Sequence, residues 1–470
     1  MKASTHRVIT LSVALLAAVI LVFTMLSVPR FFTGSPELFY TPASATLSAE
    51  QPVPVTGLAQ EAALPDAQVL ASKLDAILAP ASDGTSFSAS VRDIETGQVL
   101  YSQNAEQPGT PASSLKIATA IAALDALGGA RQLATTTLLD GNTVILRGGG
   151  DVLLGDGPSN DQLTEGYAGI ETLAELTAQH LAQRELWEVS VWLDDSLFAD
   201  AQVNPEWEQS LFTTNNIAPV YPIAHYAGRV SAADRAAHET DSAGRVQQIF
   251  TQALETELTE LAAAKETSSQ PSADEPKVVA DGRGAYQGGE KLAEVLSAPL
   301  SQQIKHMLLV SDNYLTEAMG RLVALEQQLP AAEADTAVER VAAEYGAENL
   351  SLIDTSGLAS GNRVAPAELT ELLVNAAASD NPDLRQLAYS LPISGYSGTM
   401  AMRLSSATDR GLVRAKTGSL MGVATLTGVV VSDAGRALAF SIYSFNPDGA
   451  LAPHRPTIDQ AVSTLHACGC

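Results

Sequence analysis

Strand-forming segments lie at both ends of this chain, and their separation constrains the fold more than any other feature. Near the front, Phe87, Ala89 and Val91 alternate with polar residues, Glu95-Thr96-Gly97 supplies a turn, and Val99-Leu100-Tyr101 returns as the second arm of a hairpin. Near the back, 412–417, 423–431 and 438–445 are strand-like, with an Asp433-Ala434-Gly435 turn before the last. Helical periodicity dominates the part between them, including 289–296, 300–309, 314–325 and 365–378. One antiparallel sheet assembled from both ends and covered by helices satisfies this pattern, which is a discontinuous α+β fold. Residues 129–290 read differently. Strands at 143–146 and 189–193 and helices over 170–181 and 247–264 predict an inserted domain, bounded at 151–288, between main-domain parts at 65–150 and 289–470.

The stretch Pro111-Ala112-Ser113-Ser114-Leu115-Lys116 opens a helix in the front part. Pro111 suits a first turn because its missing N–H would be unpaired there. Ile117 to Leu127 continues as a mostly apolar run, and Gly128-Gly129 supplies a left-handed stop. Ser113 and Lys116, three apart, share one helical face. Unpaired N–H groups at the helix start favour a negative oxygen on the serine, and a lysine of lowered pKa can take its proton. Alone, the stretch is equally a capped helix with an exposed lysine. Two further stretches bear on it. Ser311-Asp312-Asn313 is a polar break between two helical patterns, where side chains can face a cleft, and Lys416-Thr417-Gly418 follows a strand-like run.

The net charge of −26 leaves no basic face for phosphates, which excludes nucleic acid as a partner but not an uncharged or amine-bearing polymer. The seven histidines show no metal-ligand spacing, so neither a metal nor another cofactor is expected. The two cysteines, Cys468 and Cys470, rule out a disulfide scaffold; the tail reads as a short-loop disulfide, a soft-metal site or a frayed end. Lys2, His6 and Arg7 precede an uncharged run, Val8 to Val28, whose helical length of about 30 Å matches a bilayer core. Residues 1–34 are therefore expected to form a cytoplasmic tail and an uncleaved signal anchor, with membrane contact through 8–28; a cleaved signal and secretion are the alternative. Residues 35–64, rich in Pro, Ala, Thr, Ser and Glu, read as a flexible stalk.

With S-x-x-K, S-D-N and K-T-G present in chain order, the chain resembles the serine penicillin-binding proteins, and among them the D-alanyl-D-alanine carboxypeptidase/endopeptidase family. Gly148-Gly149-Gly150-Asp151, Asp194-Asp195-Ser196-Leu197-Phe198, Asp354-Thr355-Ser356-Gly357-Leu358 and Leu391-Pro392-Ile393-Ser394-Gly395 with Gly398-Thr399 carry the same resemblance, over about residues 85–446. It implies a β-lactamase/transpeptidase-like fold with the inserted domain between the first two motifs, outside the cytoplasm in the bacterial cell envelope. It also implies peptidoglycan stem peptides as substrate and β-lactam antibiotics as covalent inhibitors.

Residue by residue, the resemblance implies that Ser113 attacks the carbonyl between the two terminal D-alanines and forms an acyl-enzyme. Lys116, kept neutral by neighbouring positive charge including Lys416, would be the base. Ser311 would relay the proton to the leaving amine, and Asn313 would hold Lys116 and the substrate amide. Lys416 and Thr417 would take the terminal carboxylate, Gly418 would let substrate approach the strand, and the N–H groups of Ser113 and Ser419 would form the oxyanion hole. Asp194 is the candidate for an inserted-domain carboxylate reaching the amine end of the stem; a plain strand-end surface carboxylate is the alternative. Ser360-Gly361-Asn362 competes with Ser311 as a serine-x-asparagine pair. A serine β-lactamase shares the motifs, but the chain has no E-x-x-L-N segment. A wall-binding scaffold is the non-enzymatic rival.

Overall fold

The structure, a computed structural model, describes residues 62–199, 201–233, 236–266, 275–447, 449 and 454–468. The expected anchor at 8–28 and nearly all of the expected stalk lie outside the described residues. Among the described residues, no helix is long and apolar enough to cross a membrane. The strands are β1 (Ser86–Asp93), β2 (Val99–Gln103), β3 (Ala134–Asp140), β4 (Thr143–Arg147), β5 (Glu188–Asp194), β6 (Lys277–Arg283), β7 (Glu290–Leu296), β8 (Val413–Leu420), β9 (Val423–Val431) and β10 (Ala437–Phe445). The longer helices are α1 (Ala67–Ile77), α2 (Lys116–Leu127), α3 (Ile170–Gln183), α4 (Ser242–Glu266), α5 (Leu300–Val310), α6 (Asn313–Glu326), α7 (Ala334–Glu344), α8 (Pro366–Ala378) and α9 (Arg455–Ala467).

The first sheet has the order β2-β1-β10-β9-β8 and is antiparallel throughout. Both ends of the chain supply it, as the strand distribution predicts. α1 and α9 cover one face, where Leu70, Leu74, Ile458, Val462 and Leu465 pack on Val91, Phe440 and Ile442. α9 ends on Cys468, which is fully buried and disulfide-bonded, so the chain is not frayed at this point.

The second sheet has the order β6-β5-β4-β3-β7. β4, β5 and β6 are parallel, joined by the crossover helices α3 and α4, whose apolar sides pack on the sheet. This unit is wider than the expected 151–288. β3 and β7 pair antiparallel from Ala134↔Leu296 to Leu139↔Glu290 and close its base, so its sheet spans 134–296. The helix expected over 289–296 is therefore the strand β7. Its Leu292, Ala293, Val295 and Leu296 fit a helical spacing in isolation, but pairing with β3 decides the matter.

Between the two sheets, the helices α2, α5, α6, α7 and α8 form the largest apolar core. α2 lies at its centre, with every residue from Lys116 to Leu124 buried, as expected for a helix that is apolar all round.

Candidate active site

Ser113 sits in a 3-10 turn, Ala112–Leu115, that leads directly into α2. The entry is strained: Ala112 has φ 46, a left-handed conformation for a residue with a β-carbon. Gly357 packs against this turn with φ 83, and a β-carbon there would come within 2.5 Å of the Ala112 carbonyl carbon and 3.2 Å of Ser113 N. A glycine is needed at 357 on both counts.

The Lys116 side chain is completely buried. Its Nζ donates to Asn313 Oδ1 at 2.7 Å and to Ser356 O at 2.6 Å, and lies 3.1 Å from Ser113 Oγ. Burial lowers its pKa to about 8, against the opposing pull of Asp354, Asp312 and Glu317. The cause is desolvation rather than the neighbouring cation expected from the sequence; the repulsion between the two lysines falls on Lys416, whose pKa is held well below the usual range first by burial and then by Lys116. A neutral amine has two N–H bonds and one lone pair. The two carbonyl oxygens engage the N–H bonds, which leaves the lone pair for the Ser113 hydroxyl.

Ser356 O is presented by a braced loop. Glu317 on α6 accepts from Thr355 N at 3.0 Å and Ser356 N at 2.9 Å while paired with Arg321 at 2.9 Å. Asp354 accepts from Trp207 Nε1, Gly357 N and Ala359 N. Asn362 is buried in the same scaffold, its Nδ2 donating to Asp354 and its Oδ1 accepting from Ile353 N, so the asparagine of the rival pair is structural, while Ser360 lines the cleft without it.

The S-D-N break comes from two abutting helices. Ser311 ends α5 in a left-handed conformation, φ 62, and Asp312 caps α6 by accepting from Leu315 N at 2.8 Å. Burial, the largest single influence, would raise the pKa of Asp312; Arg229, 2.8 Å away, together with the Leu315 N–H and His306 keeps the group below the usual carboxylate range. Asn313 Nδ2 donates to Asn216 O at 2.9 Å.

β8 is the edge strand of the first sheet. Ala415 N donates outward to Pro392 O at 2.9 Å, and the register with β9 is unbroken, so alternation turns the N–H groups of Thr417 and Ser419 to the same outer edge. Lys416 points inward, fully buried, with Nζ donating to Thr417 O at 2.7 Å. Its side chain therefore lies beneath the cleft lining rather than in it. Gly418 also packs closely on the segment that precedes Ser113. A β-carbon there would meet Pro111 O at 2.8 Å and Thr425 Oγ1 closer still, so the glycine admits the Ser113 segment against the sheet. Thr417 Oγ1 donates to Thr399 Oγ1 at 3.0 Å.

Ser113, Ser311, Asn313, Thr417 and Ser419 line one cleft of about 910 Å³. Asp194 does not join them. It is buried against Arg147 at 2.8 Å and Ser196 Oγ at 2.6 Å, and borders a separate cavity of about 280 Å³ beside Tyr286. The partly exposed Arg147 guanidinium holds the carboxylate at the end of β5. The second unit instead lines the cleft with Glu206, Glu208, Ser210 and Asn216. These lie in a segment whose one short helix, Gln209–Thr213, is too brief to leave a periodic signal, which is why the sequence did not single them out. Among the described residues, no group of histidine, cysteine and carboxylate side chains is arranged to hold a metal ion.

Comparison with known proteins agrees with this construction. The model of the D-Ala-D-Ala carboxypeptidase 3 (S13) family matches residues 70–283 and 275–467. Carboxypeptidase DacB of Mycolicibacterium smegmatis is 31% identical over 100% of this chain and 98% of its own, and a carboxypeptidase of Mycobacterium tuberculosis is 31% identical over 88% and 87%. The crystal structure of penicillin binding protein 4 from Haemophilus influenzae superposes with a TM-score of 0.61 at 22% identity, covering 84% of this chain and 98% of that one, and so shares the fold. Two family segments that together run from α1 to α9, and relatives matched over nearly their whole length, place the chain in the D-Ala-D-Ala carboxypeptidase 3 (S13) family.

Proposed function

We propose that this chain is a serine D-alanyl-D-alanine carboxypeptidase acting on peptidoglycan stem peptides, with Ser113 as nucleophile and Lys116 as base. The observation that carries the reading is the Lys116 amine, buried and engaged by two carbonyl oxygens, 3.1 Å from Ser113 Oγ. Ser113 Oγ bonds to the penultimate D-alanine carbonyl carbon as its proton passes to Lys116. The N–H groups of Ser113 and Ser419 receive the oxyanion. Collapse breaks the C–N bond, and the departing D-alanine amine takes the proton from Lys116 through Ser311. Water then cleaves the ester. Asn313 holds the base and the substrate amide. The free edge of β8 suits an extended peptide, which adds as a further strand. Glu206 and Glu208, rather than Asp194, recognise the amine-bearing end of the stem.

The test is mass spectrometry after benzylpenicillin, wild type beside Ser113→Ala, with D-alanine release from a Lys-D-Ala-D-Ala peptide. One penicilloyl adduct on the Ser113 peptide together with D-alanine release supports the reading. An adduct lost within seconds points to a β-lactamase, and an adduct without peptide hydrolysis to a wall scaffold. Endopeptidase action on cross-linked stems uses the same acyl-enzyme and is read from a cross-linked dimer in the same assay. The reading places the body in the envelope outside the cytoplasm, held by Val8–Val28; membrane fractionation with and without residues 1–34 tests that. Glu206→Gln with Glu208→Gln is expected to abolish the preference for amine-bearing stems, whereas Asp194→Asn is not.

A further inference from the structure

A D-alanyl-D-alanine terminus carries a carboxylate, and the motif residues offer it no accessible charge. Lys416 is fully buried and turned inward onto Thr417 O. Thr417 and Ser419 present hydroxyls, and the charged side chains lining the cleft are the carboxylates of Glu206 and Glu208. On a chain of net charge −26, an anionic terminus approaches against the overall field. One cation stands at the right edge. Arg455, the first residue of α9, is exposed, and its Nη2 donates to Ser419 Oγ at 2.8 Å. Among the described residues its guanidinium forms no ion pair.

We propose that Arg455 is the carboxylate-binding residue of this cleft. The chain wraps its last helix against the first sheet, and so delivers a guanidinium from outside all three motifs to the end of β8. The planar fork can hold Ser419 Oγ and a carboxylate oxygen together, a geometry that suits arginine better than lysine. The terminal carboxylate then lies along the Thr417 and Ser419 hydroxyls, with the scissile carbonyl toward Ser113. This assignment rests on the carboxypeptidase reading of the same site.

The experiment compares acylation of the full chain by benzylpenicillin and by its methyl ester, which lacks the charge, in wild type, Arg455→Ala and Arg455→Lys. The acid-to-ester ratio of second-order acylation rates is expected to fall about tenfold in Arg455→Ala and to recover in part in Arg455→Lys. Added salt screens the overall negative field in both proteins and is expected to raise the ratio in Arg455→Ala, whereas in wild type the screened arginine offsets that rise, so the gap between the two narrows. A fold defect would slow acid and ester alike and so leave the ratio at the wild-type value, which counts against the proposal, as does an unchanged ratio with normal rates. If wild-type Ser113 is acylated by neither compound, the carboxypeptidase reading itself fails. If wild type is acylated and the Arg455→Ala ratio matches it, only the arginine assignment does.

Discussion

Replacing Lys116 by methionine is expected to destroy activity and yet stabilise the protein near neutral pH. The side chain is completely buried, and its pKa falls from 10.5 to about 8, mainly through desolvation. The folded state thus binds this proton less tightly than the unfolded state. Below about pH 8 the ammonium opposes folding by about 3 kcal/mol; the penalty fades as pH rises from about 8 and is gone above the unfolded value of about 10.5. Methionine removes the charge at similar volume but leaves Asn313 Oδ1 and Ser356 O without their donor, which costs about 1 kcal/mol each. The variant also relieves the repulsion on Lys416, which adds to its advantage. The net expectation is a gain of about 1 kcal/mol near pH 7 and a loss of similar size near pH 9.5, a swing of about 2 kcal/mol. Urea unfolding of both proteins across that range, followed by tryptophan fluorescence, measures it. The swing does not depend on the cost of the two orphaned acceptors, because neither titrates. A stability difference that stays flat with pH, or that favours wild type more at low pH, would refute a buried, proton-disfavouring Lys116. Penicillin acylation should fall by at least about a thousandfold in the variant.

Three further outcomes follow from the same geometry. Because the base works when neutral, the acylation rate constant of wild type should climb with pH, about tenfold per unit below about pH 8, and then level; stopped-flow acylation reads this, and a flat profile from neutral pH upward would contradict the assignment. Gly418→Ala forces a β-carbon into Pro111 O and Thr425 Oγ1 and should cost about 1–3 kcal/mol while slowing acylation of Ser113; full acylation at wild-type rate would show that the strand and the Ser113 turn are not in contact there. Arg229→Ala leaves the Asp312 carboxylate buried without its cation and should lower stability by about 2–3 kcal/mol. The wild-type protein draws stability from Asp312 above the ordinary carboxylate pKa and loses it as pH falls through the depressed folded value, so the gap between wild type and Arg229→Ala should narrow in acid.

The first sheet was legible because its evidence is local. Alternation in 87–91, the turn residues at 95–97 and the runs 423–431 and 438–445 each specify a strand without reference to the rest of the chain. The Ser113 helix was legible for the same reason. β7 was not, because Glu-Lys-Leu-Ala-Glu-Val-Leu carries apolar residues that suit either period, and only β3 decides between them. β6 escaped notice too: of its seven residues only Val278 is buried, so it shows no alternation to read. The structure gathers Ser113, Ser311, Asn313, Thr417 and Ser419 on one cleft, but the orientation of the motif side chains is not written in the motifs. Nothing in Lys-Thr-Gly says that the lysine turns inward or that the glycine faces Pro111 rather than the cleft; those follow from which edge of β8 is free.

What the sequence hid most completely is the contribution of the second unit, and the reason is physical. Its sheet and crossover helices build a scaffold far from Ser113, while irregular chain between β5 and α4 does the touching. Asn204 and Trp207 brace Ile353 and Asp354, Asn216 fixes Asn313, and Arg229 neutralises Asp312. Each contact is a side chain or carbonyl on a segment with no periodicity, directed at a residue more than eighty positions away, so neither spacing nor hydropathy can announce it. The consequence is a division of work. The first sheet and α2 carry the nucleophile, the base and the peptide edge. The S-D-N residues, with Ser311 in a left-handed conformation and Asp312 buried as a charge, need an outside cation and an outside carbonyl to stay where they are. The insertion between the first two motifs is thus tied to the conformation of the second, and a substitution at Arg229 or Asn216 should reach Ser113 chemistry through Asn313 rather than through the cleft wall.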